Sequence, residues 1–278
     1  MSENIRAAVG SARKKNKERE GAVSAAFLSV ISGRSMALIG PEGTGRETMI
    51  SDVCGTVDGK KMDKHMISMS TSKDEIISKV TKDAVAIILN DVFKANSGTM
   101  NLIADIIDDP QRATVFGSSA DVPSEADEAH SLYDRFLLRA FIGPLHSDET
   151  FLSSINDKRD GTATSKISSG DIEKIRNAAV DVTAEDEVLS AILSLRELFK
   201  NTGRYVSDGR WKDSVSTIRI AAAAVGERTA GISFMPLLQH ILWDDPEDID
   251  DVRASVLMMC TPGGLELNGL YAGSEHLL

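Results

Sequence analysis

The stretch from Ser35 to Val53, S-M-A-L-I-G-P-E-G-T-G-R-E-T-M-I-S-D-V, constrains this chain more than any other. A short apolar run, Met36 to Ile39, enters a glycine-rich turn from Gly40 to Gly45, and a helix-competent segment begins at Arg46. Strand, G-x-x-x-x-G turn and helix in that order make a phosphate-binding loop. Glycines let backbone amides close around phosphate oxygens, and the helix N-terminus adds a favourable field. The expected cradle is Gly40, Pro41, Glu42, Gly43, Thr44 and Gly45, continued by Arg46, Glu47 and Thr48. The usual pattern ends G-K-[ST]. This one ends G-R-E.

The segments that follow alternate between strand and helix patterns. Lys64 to Met69 predicts a strand, and Ser70 or Thr71 can cap a helix from Lys73 with Ile76, Ile77 and Val80 on one face. Ala84 to Leu89, A-V-A-I-I-L, is a near-continuous aliphatic run, as expected of a strand buried on both faces. A helix over Ser97 to Asp108 turns Met100, Leu102, Ile103, Ile106 and Ile107 inward, and Pro110 closes it. Ala113 to Ser118 and Phe136 to Ile142 read as two further strands, separated by a loop and short helix over Glu125 to Leu132. Such alternation predicts an α/β fold, a parallel sheet with helices on both faces. Ligands in such sheets bind at the carboxyl ends of the strands, where Gly40, Asn90 and Ser118 fall. Ile5 to Ile31 has helical character, ended by Gly33.

After Pro144 the texture changes. Asn156 to Gly170 is polar, as a linker or surface loop would be, and Ser169 to Met259 reads as helix throughout. Ser168-x-x-Asp171 and Thr183-x-x-Asp186 resemble capping boxes, and Leu189, Ile192, Leu193 and Leu195 form an apolar stripe. Ser207 or Asp208 opens a helix carrying Trp211, Val215, Ile218 and Ala222. Ser233 opens another, and Pro246 suits the first position of a last one. The reading is an α/β core over 1–146, an all-α domain over 147–260 and a C-terminal tail over 261–278.

Charge and composition exclude several functions. A net charge of -11 opposes a broad nucleic-acid-binding face, which needs positive charge to displace counterions. The local exception is R-K-K-N-K-E-R, Arg13 to Arg19, read as a solvated helix face in preference to a small anion-binding patch. No apolar run approaches the ~20 residues of a membrane span, and M-S-E-N-I-R lacks a signal-peptide core, so a cytoplasmic location is expected. Two cysteines are too few for a disulfide framework, and the five histidines are not at ligand spacing.

An α/β nucleotide core followed by a helical lid resembles the AAA+ proteins, P-loop NTPases with a parallel αβα sandwich. The motif order is similar to the MoxR branch and its RavA-type subgroup. G-P-E-G-T-G-R-E resembles Walker A, and A-I-I-L-N-D-V-F-K-A resembles Walker B with its following F/W-K-A. Y-D-R-F-L-L-R, Tyr133 to Arg139, resembles the arginine-finger segment. R-Y-V-S-D-G-R-W-K, Arg204 to Lys212, resembles the sensor 2 region, with Q-H-I-L-W-D-D after it. The resemblance implies ATP or ADP as ligand, a ring homo-oligomer, hexameric by expectation, and chaperone-like work, often with a von Willebrand factor A-domain partner.

The departures bear on chemistry. In this family a Walker A lysine neutralises β- and γ-phosphate charge and a Ser/Thr hydroxyl holds Mg²⁺. Arg46 keeps the charge but not the geometry. Glu47 replaces the hydroxyl, and Thr48, one helical position on, points about 100° away. Asn90 loses the metal-holding charge. Asp91, in the slot of the water-activating Glu, is one methylene shorter, and a positioning error of about 1 Å can cost ~10²-fold. Any Mg²⁺ site would rest weakly on Glu47, Asn90 and Asp91. Ala120 stands in the sensor 1 slot and Gly209 in the sensor 2 slot, with Arg210 as a possible substitute. Arg135 matches the finger, against a structural ion pair with Asp134 or a lid acid. The catalytic candidates are therefore Asp91, Arg135 and Arg210. Three readings follow: a nucleotide-binding ring subunit with impaired hydrolysis, a slow but active ATPase, and a structural assembly protein that has lost nucleotide.

Overall fold

The computed structural model describes residues 2–58, 61–79, 84–109, 113–156 and 166–260. Val80, Pro110, most of the polar 156–170 stretch and the 261–278 tail lie outside the described residues. Two compact units meet at the Ser169–Gly170 bond, inside the stretch read as a linker and later than the 146/147 line drawn from texture.

The first unit opens with helices α1, Ser2–Lys15, and α2, Glu20–Ser32. The single helical stretch expected over Ile5 to Ile31 is broken at 16–19, where Glu18 takes a left-handed φ of 62°. Glutamate favours helix by propensity, so its departure reflects tertiary anchors met below. Helix α2 is buried along almost its full length and stops at Gly33, whose φ of 74° makes a left-handed cap. Strand β1, Met36–Ile39, leads through the glycine loop into α3, Arg46–Cys54. Then come β2, Lys61–Met66; α4, Lys73–Lys79; β3, Ala84–Asn90; α5, Ser97–Asp108; β4, Thr114–Ser119; α6, His130–Arg135; β5, Leu138–Phe141; and α7, Asp148–Asn156.

These strands form a parallel sheet of five in the order β2-β3-β4-β1-β5. The chain returns β4 beside β1, so β1 lies inside the sheet and all four of its residues are buried. The aliphatic run of β3 sits between β2 and β4 for the same reason: both of its edges are paired and both faces covered. Helix α5 occupies the expected span, with Asn96 as its cap, accepting from the Thr99 amide at 2.9 Å. Met100, Ile103 and Ile106 are buried, whereas Leu102 and Ile107 are only half-buried.

The second unit is helical: α8, Ser169–Ala179; α9, Asp186–Asn201; α10, Asp208–Val225; and α11, Ile249–Met259, with a 3₁₀ stretch over Ile232–His240. Ser207 caps α10 through the Arg210 amide, and Pro246 begins a short turn into α11, as expected. Two expectations fail. Thr183 caps nothing, because Thr183–Ala184 pairs as a two-residue strand with Thr229–Ala230. The buried stripe of α9 is Val188, Ala191, Ile192, Leu195 and Phe199, and Leu189 and Leu193 face solvent. The true stripe repeats at three- and four-residue intervals; the predicted one mixed two faces. Both thiols are buried, one in each unit, and desolvation pushes Cys54 and Cys260 up to about 12, so neither is a nucleophile at neutral pH.

Candidate nucleotide site at the carboxyl ends of the strands

Gly40 leaves β1 with φ 146°, and its amide donates to Ser119 O at 3.1 Å. A Cβ at Gly40 would lie 2.2 Å from the carbonyl oxygen of Ile142, so the loop requires glycine here for packing alone. Gly43 and Gly45 follow at φ 79° and 81°. The amides of these two have no hydrogen-bond acceptor among the described residues, and no side chain caps α3. The geometry matches the backbone half of an anion cradle: donors at the N-terminus of a nine-residue helix, held open by left-handed turns.

The side-chain half is arranged otherwise. Arg46 is buried, and its Nη1 donates to Gly40 O at 2.6 Å and to Ser119 O. It thus pins the end of β1 to the end of β4 and satisfies two carbonyls inside the fold. Beside it, Ser118 Oγ lies 3.1 Å from Glu47 Oε1 and 3.3 Å from Asn90 Oδ1. Two of the three residues expected near a metal, Glu47 and Asn90, therefore converge, with Ser118 as hub. A hydroxyl has one proton, so it donates to one of these oxygens at a time. Asp91 does not join them. It sits at φ 56°, left-handed, and its carboxylate pairs with Lys94 at 3.1 Å. Thr44 Oγ1 turns back to Pro41 O at 2.9 Å.

The Tyr133–Arg139 segment, expected to carry the finger, is anchored by the residues that follow β3. Phe93 packs edge-on against Tyr133 and Phe136, with centroids 5.6 and 6.1 Å apart. Arg139, fully buried, lies over the Tyr133 ring at 4.1 Å and reaches Asp134 at 3.8 Å. The arginine that meets Asp134 is therefore Arg139. Arg135 instead meets Asp108, Nε to Oδ2 3.2 Å, and donates through Nη1 to Ser131 O at 2.8 Å. Both members of the Arg135–Asp108 pair are well exposed. In the second unit, Arg210 is buried and donates to Asp244 at 2.9 Å, so the adjacent W-D-D stretch supplies its counter-ion.

Sequence reasoning missed one feature of the site. The basic residues at the end of α1 and in the turn after it, read as a solvated helix face, also line a cavity: Lys14 and Lys17 are exposed, and with Lys15 and Arg19 they face Gly43, Thr44 and Gly45. The concentration of positive charge in R-K-K-N-K-E-R was visible in the sequence, but only a fold places it beside the loop.

Residues 187–256 match the AAA lid domain family. Two uncharacterised proteins of Methanocaldococcus jannaschii are similar to the chain. One is 26% identical over 261 residues, covering 84% of this chain and 68% of the relative. The other is 25% identical over 271 residues, covering 86% and 71%. In structure the chain resembles that of an ATPase candidate from Cytophaga hutchinsonii, with a TM-score of 0.63 at 15% identity, covering 93% of this chain and 87% of that one. The fold is an α/β P-loop sandwich with an AAA-type helical lid. No helix among the described residues is long and apolar enough to cross a membrane.

Proposed function

We propose that this AAA+-like chain binds ATP or ADP at the Gly40–Thr48 loop and hydrolyses it poorly, acting as a ring-forming assembly or remodelling subunit of MoxR/RavA type. The observation that carries this reading is the commitment of Arg46 to Gly40 O and Ser119 O while the amides of Gly43 and Gly45 stay without acceptors. The backbone can cradle phosphate; the side chain that would follow charge onto the γ-phosphate is held within the fold. Glu47, Ser118 and Asn90 present a hard oxygen set that suits Mg²⁺ beside bound phosphates. It carries one formal charge, weaker than the usual site. Asp91, turned to Lys94, is not free to activate water, and a general base is typically worth ~10²–10⁴-fold.

Arg135 is proposed to reach a neighbouring subunit's nucleotide. Its pair with Asp108 is exposed, and such pairs contribute only ~0–1 kcal/mol, so folding alone gives little reason for it. Arg135→Ala is expected to melt within about 2–4 °C of the wild type while lowering the nucleotide affinity or turnover of the assembled ring. A chain whose mass in solution stays monomeric with and without ATP would remove this role. The test of the main reading is to incubate the protein with Mg²⁺ and ATP and recover the bound nucleotide: it is expected to be mostly unhydrolysed. A structural assembly role without nucleotide is the second reading, favoured by the packing need for Gly40. Absence of any nucleotide affinity would support it.

A further inference from the structure

The cavity beside the loop measures about 220 Å³. Gly43 to Gly45 form one wall, and Lys14, Lys15, Lys17 and Arg19 form another. Arg19 approaches so closely that a Cβ on Gly45 would lie 3.1 Å from its Nη1. Lys17 Nζ donates to Ser153 Oγ at 3.3 Å across the same space. Arg46 is not among the lining residues. We propose that the turn between α1 and α2 is an anion subsite of the phosphate loop, supplying to a polyphosphate ligand the positive charge that Arg46 withholds. This rests on the nucleotide reading above for the identity of the ligand, though not for the anion site itself.

The turn is built, not loose. Buried Asn16 donates to Ala12 O and to Asp52 Oδ2, both at 3.0 Å, fastening the turn to α1 and α3. Glu18, the acid at its centre, does not line the cavity. Its carboxylate accepts from the amides of His146 at 2.7 Å and Ser147 at 3.1 Å. Those bonds, the His146 amide foremost, hold its pKa below the usual carboxylate range. The left-handed φ of Glu18 is what turns its side chain away while the neighbouring cations stay on the cavity. Basic residues at the end of α1 also complement the helix dipole, which accounts for Lys14 and Lys15. It does not account for Lys17 and Arg19, which lie beyond the helix. With four cations on one wall and unpaired loop amides on the other, a multiply charged phosphate chain fits the cavity, whereas a neutral or cationic group does not. The net charge of -11 argues against a nucleic acid as the occupant.

The test titrates the full chain calorimetrically with ATP, ADP, AMP and tripolyphosphate, in the wild type, Lys14→Ala/Lys17→Ala and Lys14→Arg/Lys17→Arg. Both lysines are exposed, so neither double variant is expected to disturb the fold. ATP and tripolyphosphate should each weaken by about tenfold or more in the alanine variant, AMP by much less, and the arginine variant should stay within about threefold of wild type. Equal ATP affinity in wild type and alanine variant would overturn the subsite while leaving nucleotide binding in place. Tripolyphosphate binding without ATP, ADP or AMP binding would support the subsite and sink the nucleotide reading. Binding of neither, or tighter binding of a single-stranded oligonucleotide than of tripolyphosphate, would overturn the subsite as stated.

Discussion

Gly40→Ala is expected to give no stably folded protein. The new Cβ would lie 2.2 Å from Ile142 O and 3.0 Å from its carbonyl carbon, both backbone atoms that cannot rotate away. Relief would require prising the segment after β5 from β1, where Ile142 donates to Ile39 O at 2.7 Å. The φ of 146° adds strain for any L-residue. Together these place the substitution in the exceptional class above about 4–5 kcal/mol, a large share of the ~5–15 kcal/mol of a whole domain. Gly43→Ala is the control: nothing lies within 4 Å of its Cβ position, so only the left-handed φ of 79° is penalised, at about 1–2 kcal/mol. Circular dichroism melts of the two variants check the difference. A Gly40→Ala protein as stable as Gly43→Ala would mean that the loop packs differently from the arrangement described. Retention of Gly40 is thus no argument for a ligand.

Arg46→Met is expected to destabilise the protein in the absence of any nucleotide. Methionine keeps a long flexible side chain but removes the donors to Gly40 O and Ser119 O. Ser119 O keeps the Gly40 amide, while Gly40 O loses the partner that Arg46 supplies. Hydrogen bonds from charged donors are worth ~1.5–3 kcal/mol, and a buried carbonyl left bare costs ~1–3 kcal/mol. A loss of about 3 kcal/mol, or roughly 6–12 °C in melting temperature, is the expected result. Had this residue served only to bind phosphate, its removal would leave the nucleotide-free melt unchanged. Arg46→Lys should fall between, since lysine keeps the charge but not the reach and fork of the guanidinium.

The sequence made the order of strands and helices legible because buried strands and a helix with an apolar face each leave a distinct period. Ala84 to Leu89 and Ser97 to Asp108 show this well: each signal is carried by side chains within the element. The α9 stripe was misread because Leu189 and Leu193 are as apolar as Ile192 and Leu195. Only the neighbouring elements decide which face is covered. The site divides in the same way. Its loop is local and was legible as a motif, and the convergence of Glu47 and Asn90 with Ser118 follows from their place at the ends of adjacent elements. The destination of Arg46, the choice of Asp108 by Arg135 and the swing of Glu18 onto His146 are settled by atoms far along the chain. The break at 16–19 was hidden for that reason too. No glycine or proline marks it, and the bonds that hold Glu18 come from residues some 130 positions later.

In the proposed function a phosphate-loop backbone has been kept while its side chains serve the fold and leave hydrolysis weak. Steady-state ATP turnover by the purified wild-type protein with Mg²⁺ tests this most directly. Turnover below about 0.01 s⁻¹ is predicted, roughly a thousandfold under the ~10 s⁻¹ typical of enzymes. Turnover near that typical value, lost in Arg46→Ala protein that remains folded, would contradict it.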